Sequence, residues 1–202
     1  MPTPIRELRP GLLRWTAPHP DWEPGEPESP ADWPEEVGSV AYEGPDAFLF
    51  VDPLVPDDLW PVLDERVRRH GRRVVVLTTV RWHRRSRDEV VARYGASTSR
   101  ARAALPGGVE TIVIPGAGET MVWLPEHRAL VPGDRLLGGA AGGLRLCPPS
   151  WLRYLASGLA TDGLRGALRP LLDLPVELVL VSHGEPVLAD GRVAVERALR
   201  RG

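Results

Sequence analysis

Four short apolar runs each break off at a polar residue or a turn, and their order constrains this chain more than any bulk property does. Phe48 to Val51 ends in Asp52, and Val74 to Leu77 ends in Thr78 and Thr79. Val131 passes through Pro132 and Gly133 to Asp134, and Val181 passes through Ser182 to His183 and Gly184. Runs this short and this apolar read as buried strands, and the polar residue marks where a strand edge opens to solvent. Val37–Tyr42, Val109–Ile114, Met121–Leu124, Ala129–Val131 and Val176–Val181 complete the predicted strands. Helical patterns lie between them. Over Asp57–His70, Leu59, Leu63 and Val67 share a face, with Asp57 placed to cap and Gly71 to stop the helix. Ser86–Tyr94 has Ser86 as cap, Glu89 at the capping-box position and Gly95 as stop. Pro149–Leu159, Asp162–Leu172 and Val193–Arg200 also read as helices. Such alternation predicts an α/β fold of layered sheets with helices outside.

At 202 residues the chain is long enough for one domain with a proper core. Its net charge of −2 gives no global attraction to nucleic acid or to an anionic membrane. Every basic residue is arginine. The single cysteine, Cys147, excludes an internal disulfide and fits a reducing cytoplasm. Met1 to Arg6 lacks the apolar stretch of a signal peptide, and no run approaches the ~18 apolar residues of a membrane helix. Residues 1–36 read as an N-terminal arm and 37–202 as the main domain. Prolines crowd residues 10–36 and leave little room for strand, while Trp15, Trp22 and Trp33 argue that the arm packs on the body.

The strand-end motifs, in this order and spacing, resemble those of the metallo-β-lactamase fold superfamily, over roughly residues 37–200. The resemblance implies an αββα four-layer sandwich with a metal site at one edge of the sheets. It also implies roles. Asp52 would orient the metal-binding loop without being a ligand. The family's His-x-His-x-Asp-His motif falls on Thr79, Arg81, His83 and Arg84, with His83 at the Asp position and no metal-binding side chain of the motif at the other three; a register shift of one residue would put His83 at the last-His position and leave the other three absent. Its Pro-Gly-His turn falls on Pro115, Gly116 and Ala117, and alanine cannot bind metal. Gly133-Asp134 and Ser182-His183-Gly184 are intact. The first metal position therefore has no histidines. The second can be assembled from His83, Asp134 and His183 around one divalent ion such as zinc, iron or manganese.

Two functional readings follow. In one, the metal centre is degenerate and the protein binds a small anionic ligand in a cleft lined by Arg81, Arg84 and Arg85, since a guanidinium takes carboxylate or phosphate through a planar fork. Glu119 is either a further site residue or a polar strand-start residue. In the other, the chain is a mononuclear metal-dependent hydrolase of an ester- or thioester-type substrate, with Asp52, Asp134 and His183 as its catalytic carboxylates and imidazole. The number of altered ligands favours the first reading; the grouping of the three survivors in one site favours the second. His19 and Trp22 either line the cleft or serve aromatic packing. His70 and His127 read as surface residues, and Gly138–Gly143 as a flexible loop beside Asp134.

Overall fold

A computed structural model describes residues 3–98, 104–139 and 142–200. Five strands form the first sheet: β1 (Arg6–Arg9), β2 (Leu12–Pro18), β3 (Glu36–Glu43), β4 (Ala47–Val51) and β5 (Arg73–Leu77), in that spatial order. The second sheet holds β6 (Glu110–Ile114), β7 (Glu119–Leu124), β8 (Ala129–Val131) and β11 (Leu178–Val179), in the order β11-β8-β7-β6. A hairpin of β9 (Leu136–Gly138) and β10 (Leu144–Leu146) lies beside them. Helices α1 (Trp60–His70) and α2 (Arg87–Tyr94) belong to the first half. Helices α3 (Pro149–Leu152), α4 (Thr161–Leu168) and α5 (Gly191–Arg200) belong to the second.

Side-chain alternation explains the layering. In β4, Leu49 and Val51 enter a core shared with Val122, Leu124 and Val131 of the second sheet, whereas Phe48 and Phe50 pack with Leu59, Leu63 and Val90. In the second sheet, Met121, Trp123 and Leu130 face Leu164, Leu168 and Val195. Both sheets are thus apolar on both faces, which is why their strands read as unbroken apolar runs. The result is helices, sheet, sheet, helices: the four-layer αββα sandwich. No helix among the described residues is long and apolar enough to cross a membrane.

Several local expectations need correction. The stretch read as an arm with little strand contributes β1 and β2, and seven residues of β2 pair with β3, so the chain from Arg6 to Pro18 is part of the first sheet. Pro18 closes β2 and so does not interrupt its ladder. Asp57 opens a single 3₁₀ turn ahead of α1 and makes no side-chain cap; Ser86 likewise caps nothing, because its hydroxyl accepts the Val55 N–H. The helix expected to run to Leu159 ends at Leu152. His127 is buried, not at the surface, edge-on to Tyr42 at 5.2 Å. Gly138 closes β9, and Ala140 and Ala141 of the expected flexible loop lie outside the described residues.

Candidate metal centre

Four strands release their functional residues at one edge of the sandwich. Strands β4 and β5 run parallel, as do β8 and β11, so each pair ends on the same side. Asp52 follows β4 directly and Thr79 follows β5; Asp134 comes three residues after β8 and His183 four after β11. Asp52 is held at φ 47°, a left-handed conformation that a non-glycine residue adopts only when its surroundings enforce it. Here the enforcement is visible. The Thr79 backbone N–H and hydroxyl both donate to the Asp52 carboxylate, and His83 Nδ1 lies 2.9 Å from Asp52 Oδ2.

That contact orients the imidazole. With Nδ1–H donated to Asp52, His83 presents Nε2 to Asp134 Oδ1 at 3.0 Å, and His183 Nε2 lies 3.3 Å from the same oxygen. All three residues are buried, and one ligand atom from each lies within 4.8 Å of the others. Among the described residues Asp134 Oδ1 makes no well-formed hydrogen bond despite these short distances. Three donor atoms that crowd together without bonding one another suit a shared cation, and two imidazoles plus a carboxylate suit zinc, iron(II) or manganese. The donor set therefore fits one divalent ion.

Asp134 owes its position to two further groups. Trp82 Nε1 donates to Asp134 Oδ2 at 2.6 Å. Behind it, the buried Glu119 carboxylate accepts the backbone N–H groups of Gly133, Asp134 and Arg135. Gly133 itself is required, because a side chain there would collide with Thr79. His183 is fixed differently. Its loop pairs with Val37, Gly138 N donates to its carbonyl, and Trp33 and Trp151 meet its ring edge-on, each at 5.6 Å.

Burial and neighbouring charge pull these groups in opposite directions. Burial opposes charge on His83, but the Asp134 and Asp52 carboxylates outweigh it and push the imidazole up to about 9. Burial alone would raise Asp134, yet His83 and His183 beside it hold the carboxyl well below the ordinary range. His183 is pushed down, chiefly by burial. A cation bound among these groups would compete with a proton on His83. Glu119 is pushed up to about 7 by burial and by Asp134.

A cavity of about 480 Å³ opens over the three residues, walled by His19, Trp33, Trp82, Trp151, Tyr154 and several arginines. It revises the expected arginine cleft. Arg84 turns to solvent and pairs with Asp88 at 2.6 Å, away from the cavity. Arg85 lines it but commits its guanidinium to Gly38 O, Asp52 O and Ser182 Oγ. Arg81 alone of the three stands exposed on the wall, 5.8 Å over the Trp82 ring. Glu119 supports the Asp134 turn from behind and does not line the cavity. Thr79 and Ala117 are both buried, and the Thr79 hydroxyl is engaged with Asp52. Of the arm residues, His19 reaches the cavity, whereas Trp22 serves packing by donating to Trp33 O. Sequence reasoning missed Trp33, Trp151, Tyr154 and Arg135 as wall residues. Only the density of tryptophan in the arm signalled the first of them.

No family model and no curated protein sequence matches the chain. Solved structures do. A metallo-β-lactamase from Hirschia baltica superposes with a TM-score of 0.62 at 15% identity, covering 100% of both chains. One from Erythrobacter litoralis gives 0.63 at 17% identity, over 96% of this chain and 89% of that one. DIM-1 metallo-β-lactamase exposed to ceftazidime gives 0.60 at 14% identity, over 98% of both. This chain has the metallo-β-lactamase fold. Its His–Asp–His cluster is compatible with a metal-dependent, hydrolase-like protein.

Proposed function

We propose that this protein is a mononuclear metal-dependent hydrolase that acts on a small ester- or thioester-type substrate. One observation carries the reading: His83 Nε2, Asp134 Oδ1 and His183 Nε2 converge at the floor of a cavity, and the carboxylate oxygen among them is buried without a hydrogen bond. A divalent ion bound there supplies Lewis acidity toward a substrate carbonyl and toward water. The chain's own residues do the rest. Asp52 holds the His83 tautomer, and Trp82 holds one Asp134 oxygen so that the other faces the imidazoles. Trp33 and Trp151 pack against His183 and keep bulk water from its outer side.

A second reading has its own support. The Asp134 and Asp52 carboxylates raise the His83 imidazole, and a protonated His83 would offset the Asp134 charge without any ion. A metal-free protein that binds a small anion would look the same. The loss of Arg84 from the cleft and the backbone commitments of Arg85 weigh against it.

Elemental analysis after exposure to zinc, iron and manganese, with the excess removed, separates the two. The hydrolase reading expects one tightly held equivalent in the wild type and none in His183→Ala. A wild type that holds no metal overturns it and leaves the anion-binding reading.

A further inference from the structure

Strand β2 runs antiparallel to β3, with Ala17 opposite Val37 and Pro18 opposite Glu36, and Val37 is bridged to His183. His19, the residue after β2, is thereby delivered to the edge where the candidate metal ligands stand, and it lines the same cavity. Three hydrogen bonds fix it there. Its backbone N–H donates to Glu35 O at 2.9 Å, its carbonyl accepts the Trp22 N–H at 3.0 Å, and its ring Nδ1 accepts the Asp21 N–H at 3.2 Å. The Trp33 ring meets the imidazole edge-on at 5.1 Å.

The bond to Nδ1 decides the tautomer. A backbone amide can only donate, so Nδ1 is an acceptor and the ring proton sits on Nε2. Burial, helped by Arg85 and His83 and opposed by Asp21, pushes the imidazole below its ordinary value and so favours the neutral ring. His19 is half-buried, and Nε2, which makes no hydrogen bond among the described residues, is not closed off from solvent. A molecule in the cavity that His19 lines therefore meets an N–H donor.

Several other donors on the wall are spent or loose. Trp82 and Trp151 give their indole N–H groups to Asp134 and Ser29, and Arg85 gives its guanidinium to backbone oxygens and Ser182 Oγ. Arg81 and Tyr154 are exposed, with no side-chain hydrogen bond among the described residues to hold them. A donor that is already fixed stabilises developing charge without first having to be ordered. We propose that His19 Nε2–H is the hydrogen-bond donor to the carbonyl oxygen of the bond that is cleaved. That this carbonyl is cleaved rests on the hydrolase reading; the donor itself does not require the ion. As the oxygen of water bonds to the acyl carbon, the C=O π pair moves onto the carbonyl oxygen, and His19 donates to the charge that develops there. It gives up no proton, because a neutral imidazole that lost one would become an anion. The π bond then re-forms as the bond to the alcohol or thiol breaks, and that group leaves with a proton of the water. The exposed rings of Trp82 and Tyr154 offer flat surfaces to an apolar group beside the carbonyl.

Long-range ¹H–¹⁵N correlation of the wild type should place the His19 proton on Nε2; a proton on Nδ1 overturns the proposal. Zinc-treated protein of recorded metal content is then titrated with benzyl methyl ketone, the analogue of phenyl thioacetate in which a methylene replaces the sulfur, so that it cannot be hydrolysed. The ketone should shift the His19 Nε2 signal and bind the wild type ~5-fold more tightly than His19→Phe, which keeps a ring without the donor. His19→Gln, with an N–H at the end of its side chain, should recover part of that difference. With phenyl thioacetate as substrate, His19→Phe should lower kcat by ~100-fold while KM changes far less. A ketone that does not bind, leaves the His19 signal unmoved, or binds wild type and folded His19→Phe equally overturns the donor, whether or not metal is held. A metal-holding wild type whose turnover survives unchanged in His19→Phe overturns the donor and leaves the hydrolase reading intact. Ketone binding through His19 in a protein that holds no metal, or that leaves phenyl thioacetate uncleaved, keeps the donor and removes the hydrolase reading.

Discussion

Trp82 Nε1 donates to Asp134 Oδ2 at 2.6 Å while Asp134 Oδ1 faces the imidazoles of His83 and His183. One oxygen of the carboxylate is fixed so that the other is presented in a single direction. Trp82 is itself nearly half exposed, at 46%, so its indole is a lever on the site more than a part of the core. Replacing it with phenylalanine keeps most of the ring and removes the donor. Trp82→Phe should weaken zinc binding by about 10- to 100-fold, as loss of a group that orients a ligand does. Thermal stability of the metal-free protein should change little. A competition titration against a chromophoric chelator measures the first, and a melting curve the second.

Glu119 gathers the N–H groups of Gly133, Asp134 and Arg135 on one buried carboxylate. Glu119→Ala would leave all three donors without an acceptor, at a cost of about 3 kcal/mol or more. Glu119→Gln keeps an accepting oxygen and should lose less. Urea denaturation of the two variants gives the order directly, and equal stabilities would contradict this role.

Trp151 Nε1 donates to Ser29 O at 3.2 Å and so ties α3 to the segment between β2 and β3. Trp151→Phe removes that tie and leaves the ring contact with His183. Amide hydrogen exchange should rise over the residues between Pro18 and Glu36, with the sheets unchanged. Exchange that stays as slow as in the wild type would mean the segment is held by its other contacts, such as those of Trp22 and Trp33 and the His19 N–H to Glu35 O bond.

His127 supplies a pH dependence remote from the site. Burial, helped by Arg9 and opposed by Glu126, pushes its imidazole below the ordinary value of about 6.5. The unfolded chain then binds the proton more readily than the folded one, so stability is full above that pH and falls as the pH drops below it. Denaturation midpoints from pH 8 down to pH 5 should decline, and His127→Phe should flatten the part of the decline due to this residue. A decline identical in the variant would assign it to other groups.

The fold was legible because of how its strands are made. Phe48 to Val51 and Val74 to Leu77 are apolar at every position because alternate residues enter different cores. The polar residue after each run marked the edge where the site lies. β2 was less legible, since Pro10 and Pro18 bracket Leu12, Leu13 and Trp15 closely enough to hide the strand. The helix from Pro149 was read too long because Leu155 and Leu159 continue its apolar spacing. Both pack on the second core, but from irregular chain beyond the helix.

The site divides along the same line. Sequence alone determined which residues follow the strands, and therefore that Asp52, Asp134 and His183 stand at one edge with His83 nearby. It also determined that Thr79, Arg81 and Ala117 bring no imidazole. Only the tertiary structure decided where neighbouring side chains go. Arg84 faces solvent, Trp82 reaches Asp134, and Arg135 lies buried with one nitrogen free. The reason is physical: strand and turn positions follow from local pattern, but the direction of a side chain on a loop is set by partners distant in sequence. Trp82 and Asp134 are 52 residues apart, and His83 and Asp52 are 31.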